Sequence, residues 1–271
     1  MTRPGFECRS ILGVCAVGCL AALAFSIAGC SSRLSATDPA PREESWWNER
    51  HRALVDRARQ GRVDLMFVGD SITQGWNNNR VWKEFYEPRH AANFGMNGDG
   101  TQHILWRLQH GELDGIAPKL VVLLAGTNNL SDCSPVEIEE GVASIVDELR
   151  RRAPTAGILL LGIFPRGREP GPIRDKIRAV NERLARLEER EHLRFLDFGQ
   201  AFLNEDGTLS PEIMPDYLHP NPRGYRIWAE AMEPTLREML DEENPPEGEG
   251  PPGPHPSEDR VSLTTRRGRW P

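Results

Sequence analysis

The sequence predicts a three-layer α/β/α sandwich built on a five-stranded parallel sheet. Short all-apolar runs, such as Leu120-Val121-Val122-Leu123-Leu124 and the run from Ile158 to Ile163, lack the alternation of a half-exposed strand. They read as strands buried on both faces. Stretches with helical apolar spacing lie between them. Strands alternating with helices imply right-handed crossovers and a sheet covered on both sides. With 271 residues the chain can hold one sizeable core plus appendages.

The elements follow in order. Glu44 to Gln60 reads as a helix with Trp46, Trp47, Leu54, Val55 and Ala58 as its apolar positions, ended by Gly61. Val63 to Val68 is the first strand, running into Gly69-Asp70-Ser71 and a polar turn. A short helix from Val81 to Tyr86 stops before Pro88, and Ala91 to Phe94 is the second strand. A Gly-rich stretch, Gly95 to Gly100, leads into a helix from Thr101 to His110 with Ile104, Leu105 and Leu108 inward. The third strand lies within Lys119 to Ala125. Ser134-Pro135-Val136-Glu137 has the cap, first-turn proline and acid of a capping box, and opens a helix with Ile138, Val142, Ile145, Val146 and Leu149 inward. The strand Ile158 to Ile163, a helix marked by Ile173, Ile177, Val180, Leu184 and Leu187, and the strand Leu193 to Leu196 come next. Asn221-Pro222 opens a final helix to about Leu240. Five strands in this alternation fit a flavodoxin-like sandwich.

Neither end reads as part of this fold. Arg3 and Arg9 precede an apolar run from Ile11 to Ile27, the layout of a secretory signal. The run closes on Ile27-Ala28-Gly29-Cys30, which resembles the lipobox of bacterial lipoproteins. That resemblance implies a signal peptide over residues 1–29, lipidation of Cys30 and attachment to the cell envelope. Ser31, in place of Asp, points to the outer membrane in a diderm cell. An uncleaved anchor of marginal length is the alternative. Both place the domain outside the cytoplasm. Residues 30–44 read as a polar tether, residues 45–241 as the domain, and residues 242–271 as a disordered Pro-, Gly- and Glu-rich tail. Once the signal and Cys30 are set aside, Cys133 stands alone, so no internal disulfide is expected and Cys133 reads as a loop residue. The formal charge of −7, with only a short basic run at Arg266-Arg267-Gly268-Arg269, argues against a nucleic-acid partner.

Four strand ends place polar residues at one edge of the sheet: Ser71, Gly98, Asn128 and the stretch Asp216-Tyr217-Leu218-His219-Pro220. Acyl transfer needs a nucleophile, a base, an orienter for that base and donors for an oxyanion. Ser71 can attack, His219 can take its proton, and Asp216, three residues earlier, can fix the imidazole tautomer. The backbone N–H groups of Ser71 and Gly98 and the Asn128 amide can form the oxyanion hole. Each residue alone has a plainer reading. Ser71 can be a helix cap, Asn128 a turn former, Asp216 a cap, His219 a surface turn residue, and Gly98 a position with positive φ. Their joint occurrence in this order favours catalysis.

Gly69-Asp70-Ser71, Gly98, Gly126-Thr127-Asn128-Asn129 and Asp216-x-x-His219 resemble the four sequence blocks of the SGNH (GDSL) hydrolases. Asn93 to Asp99, Thr101 to Leu108, Gly111-Glu112-Leu113 and Leu161 to Gly167 are similar to the branch of intracellular platelet-activating-factor acetylhydrolase catalytic subunits. The resemblance spans about residues 45 to 240 and implies the SGNH fold, ester hydrolysis, the site roles just given and no metal or other cofactor. It also implies a homodimer, without locating its interface. Asn97 and Gly100 depart from that branch, so the cleft rim is expected to differ. The G-x-S-x-G elbow of other α/β-hydrolases is absent, since Thr73 stands where glycine is required.

The expected reaction is hydrolysis of acetyl or other short acyl esters, on a carbohydrate or a small ester. A lipid esterase of the phospholipase type is the alternative within the same chemistry, and a non-catalytic envelope-binding lipoprotein the alternative from another class. Ile72 and Leu218, beside the nucleophile and the base, can wall a small acyl pocket or simply pack in the core. Trp76 and Trp106 can stack on a sugar ring, although burial is the commoner role. His103 and His110 share a helix face but lack further ligands for a metal.

Overall fold

A computed structural model describes residues 35–77 and 79–242. They fall within one compact unit, Leu34–Pro271. The apolar segment ending at Cys30 and the tail beyond residue 242 lie outside the described residues.

Five strands, β1 (Leu65–Gly69), β2 (Ala91–Gly95), β3 (Leu120–Leu124), β4 (Gly157–Leu161) and β5 (Leu193–Leu196), form a parallel sheet in the order β2-β1-β3-β4-β5. This is the flavodoxin-like order. Successive side chains point to opposite faces. Met66, Val68, Val121, Leu123, Ile158 and Leu160 pack in one apolar layer with α1 (Ser45–Arg59), α4 (Thr101–Gln109), α5 (Pro135–Arg152) and α6 (Pro172–Leu184). Leu65, Phe67, Val122, Leu124, Leu159 and Leu161 pack in the other with α3 (Arg80–Phe85) and α7 (Pro222–Met239). The all-apolar runs are therefore buried on both sides, as their composition requires.

The expected capping box forms: Ser134 Oγ accepts from Glu137 N–H at 3.3 Å, and Glu137 Oε2 accepts from Ser134 N–H at 2.6 Å. All five inward positions of α5 are buried. One helix position differs. Trp46 is 41 % exposed, while Trp47, one residue on, is fully buried. A helix turns about 100° per residue, so neighbours cannot share a face. The guanidinium of Arg42 covers the Trp46 ring from 5.3 Å.

The domain also begins earlier than the composition suggests. Residues 35–44, expected as part of a tether, dock on the sandwich. Ala36 is buried, its carbonyl accepts from Thr101 Oγ1 at 2.7 Å, and Ala40 N–H donates to the Gln102 carbonyl at 3.2 Å. These backbone bonds depend on α4 and carry no local signature. At the other end the fold runs through Glu242, whose carboxylate pairs with Arg89 at 2.6 Å.

Candidate active site

The strand order reverses between β1 and β3, and open α/β sheets hold their ligands in the crevice at such a point. Ser71 follows β1 and Asn128 follows β3. At the end of β1 the chain turns at once into a single helical turn, α2 (Ser71–Gln74). Gly69 permits this, because a Cβ there would lie 2.2 Å from Thr73 Oγ1 and 2.5 Å from the Leu124 carbonyl. Asp70, and not Ser71, is the cap: its Oδ1 accepts from Ile72 N–H at 2.9 Å. The cap reading of Ser71 is thereby overturned. Ser71 becomes the first helical residue, a position whose N–H has no partner within the helix.

Ser71 Oγ lies 2.8 Å from His219 Nε2. His219 Nδ1 lies 2.6 Å from Asp216 Oδ2. The other carboxylate oxygen, Asp216 Oδ1, accepts from the backbone N–H groups of His219 at 2.8 Å and Leu218 at 3.1 Å. Asp216 thus performs both of its readings: it shapes its own turn and orients the imidazole. Burial works against its charge, but the bonds from the His219 ring and the two N–H groups hold its carboxyl below the usual carboxylate range.

The turn after β2 carries Gly98 with φ +75°, the left-handed region that favours glycine. A Cβ there would also meet Arg42 Nη1 at 2.6 Å. Asn128 Nδ2 donates to the carbonyl of Asp99 at 2.9 Å, which ties the Asn128 loop to the Gly98 turn. Met96 N–H donates to the Gly69 carbonyl at 3.1 Å, which ties that turn to the end of β1. The five residues singled out in the sequence therefore sit on neighbouring loops at one sheet edge. Gly167 N–H donates to the Tyr217 carbonyl at 2.9 Å and Arg166 Nη1 to the Thr127 carbonyl at 3.2 Å, joining the β4 loop to both sides of the site.

Ile72 is buried in the α7-side core, and half-buried Leu218 packs against the same layer. Trp76 is fully buried there, wedged 4.4 Å from Tyr225 and 4.9 Å from Trp228 between ring centroids, so the sugar-stacking reading is overturned for it. Trp106 faces α1, stacked 3.8 Å from His110 and tilted against Trp47. Cys133 is a buried loop residue with a free thiol. His103 Nδ1 accepts from Gly100 N–H at 3.0 Å, and burial, with Arg42 and Arg107 nearby, pushes its pKa down to about 4. Among the described residues no group of three or more His, Cys, Asp and Glu side chains is placed to hold a metal.

Two features escape sequence reasoning. Arg107 is fully buried on the inward face of α4, where Ile104, three residues earlier, marks the same side. Asp70 is fully buried and its Oδ2 has no hydrogen-bond partner. Burial pushes its pKa up to about 7; the Ile72 N–H bond opposes the rise, Asp99 adds to it, and His219 and Arg166 oppose it further. A carboxyl that ionises at higher pH in the folded than in the unfolded chain loses stability as pH rises between the two pKa values. Here the window runs from about 4 to about 7, and stability falls as pH rises across it. Asp70→Asn is expected to flatten the fall of the unfolding midpoint over that window. A pH dependence equal to that of the wild type would show that Asp70 does not titrate there.

A hydroxyl, an imidazole and a carboxylate are linked in series at the switch point of a parallel sheet, an arrangement suited to the class of α/β ester hydrolases. Comparison with known proteins agrees. Residues 67–227 match the GDSL-like Lipase/Acylhydrolase family. Platelet-activating factor acetylhydrolase IB subunit alpha1 of Homo sapiens is 39% identical over 208 residues, covering 76% of this chain and 88% of that protein. The alpha2 subunit of Rattus norvegicus is 36% identical over 201 residues, covering 74% and 87%. Among solved structures, a GDSL-like lipase from Bacteroides thetaiotaomicron superposes with a TM-score of 0.58 at 21% identity, covering 72% of this chain and 97% of its own. An acetylxylan esterase from Geobacillus stearothermophilus gives a TM-score of 0.51 at 22% identity, covering 65% and 93%. The chain belongs to the GDSL-like lipase/acylhydrolase family and is an ester hydrolase.

Proposed function

We propose that the protein removes acetyl or other short acyl groups from a carbohydrate or small ester, through an acyl-enzyme on Ser71. The series Ser71 Oγ, His219 Nε2, His219 Nδ1, Asp216 Oδ2, with separations of 2.8 and 2.6 Å, carries this reading. His219 takes the Ser71 proton as Oγ attacks the carbonyl carbon, and returns it to the leaving alcohol as the tetrahedral intermediate collapses. Water, activated by the same imidazole, then hydrolyses the acyl-enzyme and restores the Ser71 hydroxyl. The N–H groups of Ser71 and Gly98 and the amide of Asn128 bind the oxyanion. Asn128 Nδ2 carries two hydrogens, so its bond to Asp99 leaves one for substrate. The signal-like N-terminus and Cys30 support export and lipid anchoring at the cell envelope, on the outer-membrane side in a diderm.

The identity to platelet-activating factor acetylhydrolase subunits favours a second reading of the same chemistry, in which the short acyl chain sits on a lipid-like alcohol. A chain-length series tests this. p-Nitrophenyl acetate is expected to give kcat/KM at least ~tenfold above the octanoate, since even one methylene that finds no room forfeits ~1–3 kcal/mol. Rates that rise with chain length and with micelle formation would instead assign a long-chain lipase.

A further inference from the structure

One buried cation near the site has no part in the proton transfers. Arg107 lies on α4 with its guanidinium fully buried. Its Nε donates to Asp99 Oδ2 at 2.7 Å, Nη1 to Glu112 Oε2 and, at 3.2 Å, to the Phe94 carbonyl, and Nη2 to the Gly69 carbonyl at 3.2 Å. The other oxygen of Asp99, Oδ1, accepts from the Trp47 indole N–H at 2.7 Å. Both carboxylate oxygens of Asp99 are thus held from the core. Its carbonyl, on the opposite side, accepts from Asn128 Nδ2 at 2.9 Å.

We propose that Arg107 and Asp99 are positioning residues that set the geometry of the oxyanion hole. Each of the three donors traces back to them. Gly98 is the neighbour of Asp99 in the chain. The Asn128 amide is oriented by the Asp99 carbonyl. Ser71 lies two residues beyond Gly69, whose carbonyl Arg107 binds. An oxyanion hole accelerates reaction only if its donors already sit where the charge will develop. Side chains locked by a supporting layer keep that arrangement through the catalytic cycle. A buried ion pair is a poor source of stability compared with apolar residues of equal volume. Its place directly beneath the donors is better explained by the geometry it imposes. The inference rests on the oxyanion roles proposed for Gly98 and Asn128.

Asp99→Asn keeps the size and an acceptor for Trp47 but removes the charge facing Arg107. On p-nitrophenyl acetate it is expected to lower kcat by ~10–100-fold, because misplaced donors act mainly on the transition state, with KM within ~3-fold. In an Asn128→Ala background the same change is expected to cost several-fold less than in the wild type, since the share that acts through the Asn128 amide is already lost. Equal factors in the two backgrounds, or a loss matching the unfolded fraction seen by circular dichroism, would overturn the proposal. If Asp99→Asn does not fold, Trp47→Phe enters the same cycle. It removes one bond to Asp99 and keeps an aromatic ring, with an expected ~3–10-fold loss of kcat that shrinks beside Asn128→Ala. Asn128→Ala alone separates the two readings. Full activity in it would remove the oxyanion role and the positioning role together. A large loss with additive Asp99 effects would remove the positioning role alone.

Discussion

Ser71→Ala is expected to lower kcat on p-nitrophenyl acetate by ~10⁴-fold or more, because loss of a nucleophile that works as a unit with its base leaves only the oxyanion donors and binding. The reason is local. Ser71 Oγ is the group 2.8 Å from His219 Nε2, and among the described residues no other hydroxyl or thiol is bonded to that nitrogen; the Cys133 thiol is buried beside Asn129. The substitution removes one half-buried oxygen and leaves the Asp70 cap, the apolar packing of Ile72 and the His219–Asp216 contact in place. The thermal midpoint is therefore expected to move by no more than a degree or two, in line with small surface changes. A fluorophosphonate probe should label the wild type and not the variant. Activity within tenfold of the wild type in a folded Ser71→Ala protein would sink the serine mechanism.

Arg107→Met is expected to cost about 3–5 kcal/mol of stability, the range for removing one partner of a buried charge pair. Burial alone would lower the Arg107 pKa, yet Glu112 and Asp99 hold it above the usual arginine value. Without the guanidinium, two fully buried carboxyls face each other, and the carbonyls of Phe94 and Gly69 lose a donor. A loss of this size is a large share of the ~5–15 kcal/mol that holds a typical domain. The urea midpoint should fall sharply. Adding Glu112→Gln should recover part of the loss by removing one of the two buried carboxylates, whose remaining partner is His51 Nδ1 at 3.1 Å. A midpoint within experimental error of the wild type would show that water reaches this network.

The positions of all five strands and of the six longer helices could be read from the chain because each depends on short-range pattern; the single turn of α2 could not. A run such as Leu120 to Leu124 is buried on both faces wherever the other elements lie. Ser134 and Glu137 close their capping box from three residues apart. The site residues were legible for a related reason. Residues at strand ends share one edge of a parallel sheet, so Ser71, Gly98 and Asn128 could be grouped before any distance was known; His219, on the loop before α7, was joined to them by the spacing of Asp216 and its chemistry.

What stayed hidden is pairing between residues far apart in the chain. The docking of residues 35–44 rests on bonds to Thr101 and Gln102, and nothing in their own polar composition marks it. Trp76 and Trp106 look alike as aromatic residues near the site, yet their surroundings made them core packing and helix contact. The cap role passed from Ser71 to Asp70 because the chain enters the helical turn at Ser71, which puts Asp70 in the cap position. Arg107, Asp99 and Glu112 are unremarkable charges in sequence, and only the meeting of α4 with the ends of β1 and β2 makes them a buried network. The linear pattern alone determined the layers, the strand ends and the chemical groups available at them. Tertiary structure decided which of those groups face one another, because burial and hydrogen-bond geometry are properties of the assembled elements and not of any one of them.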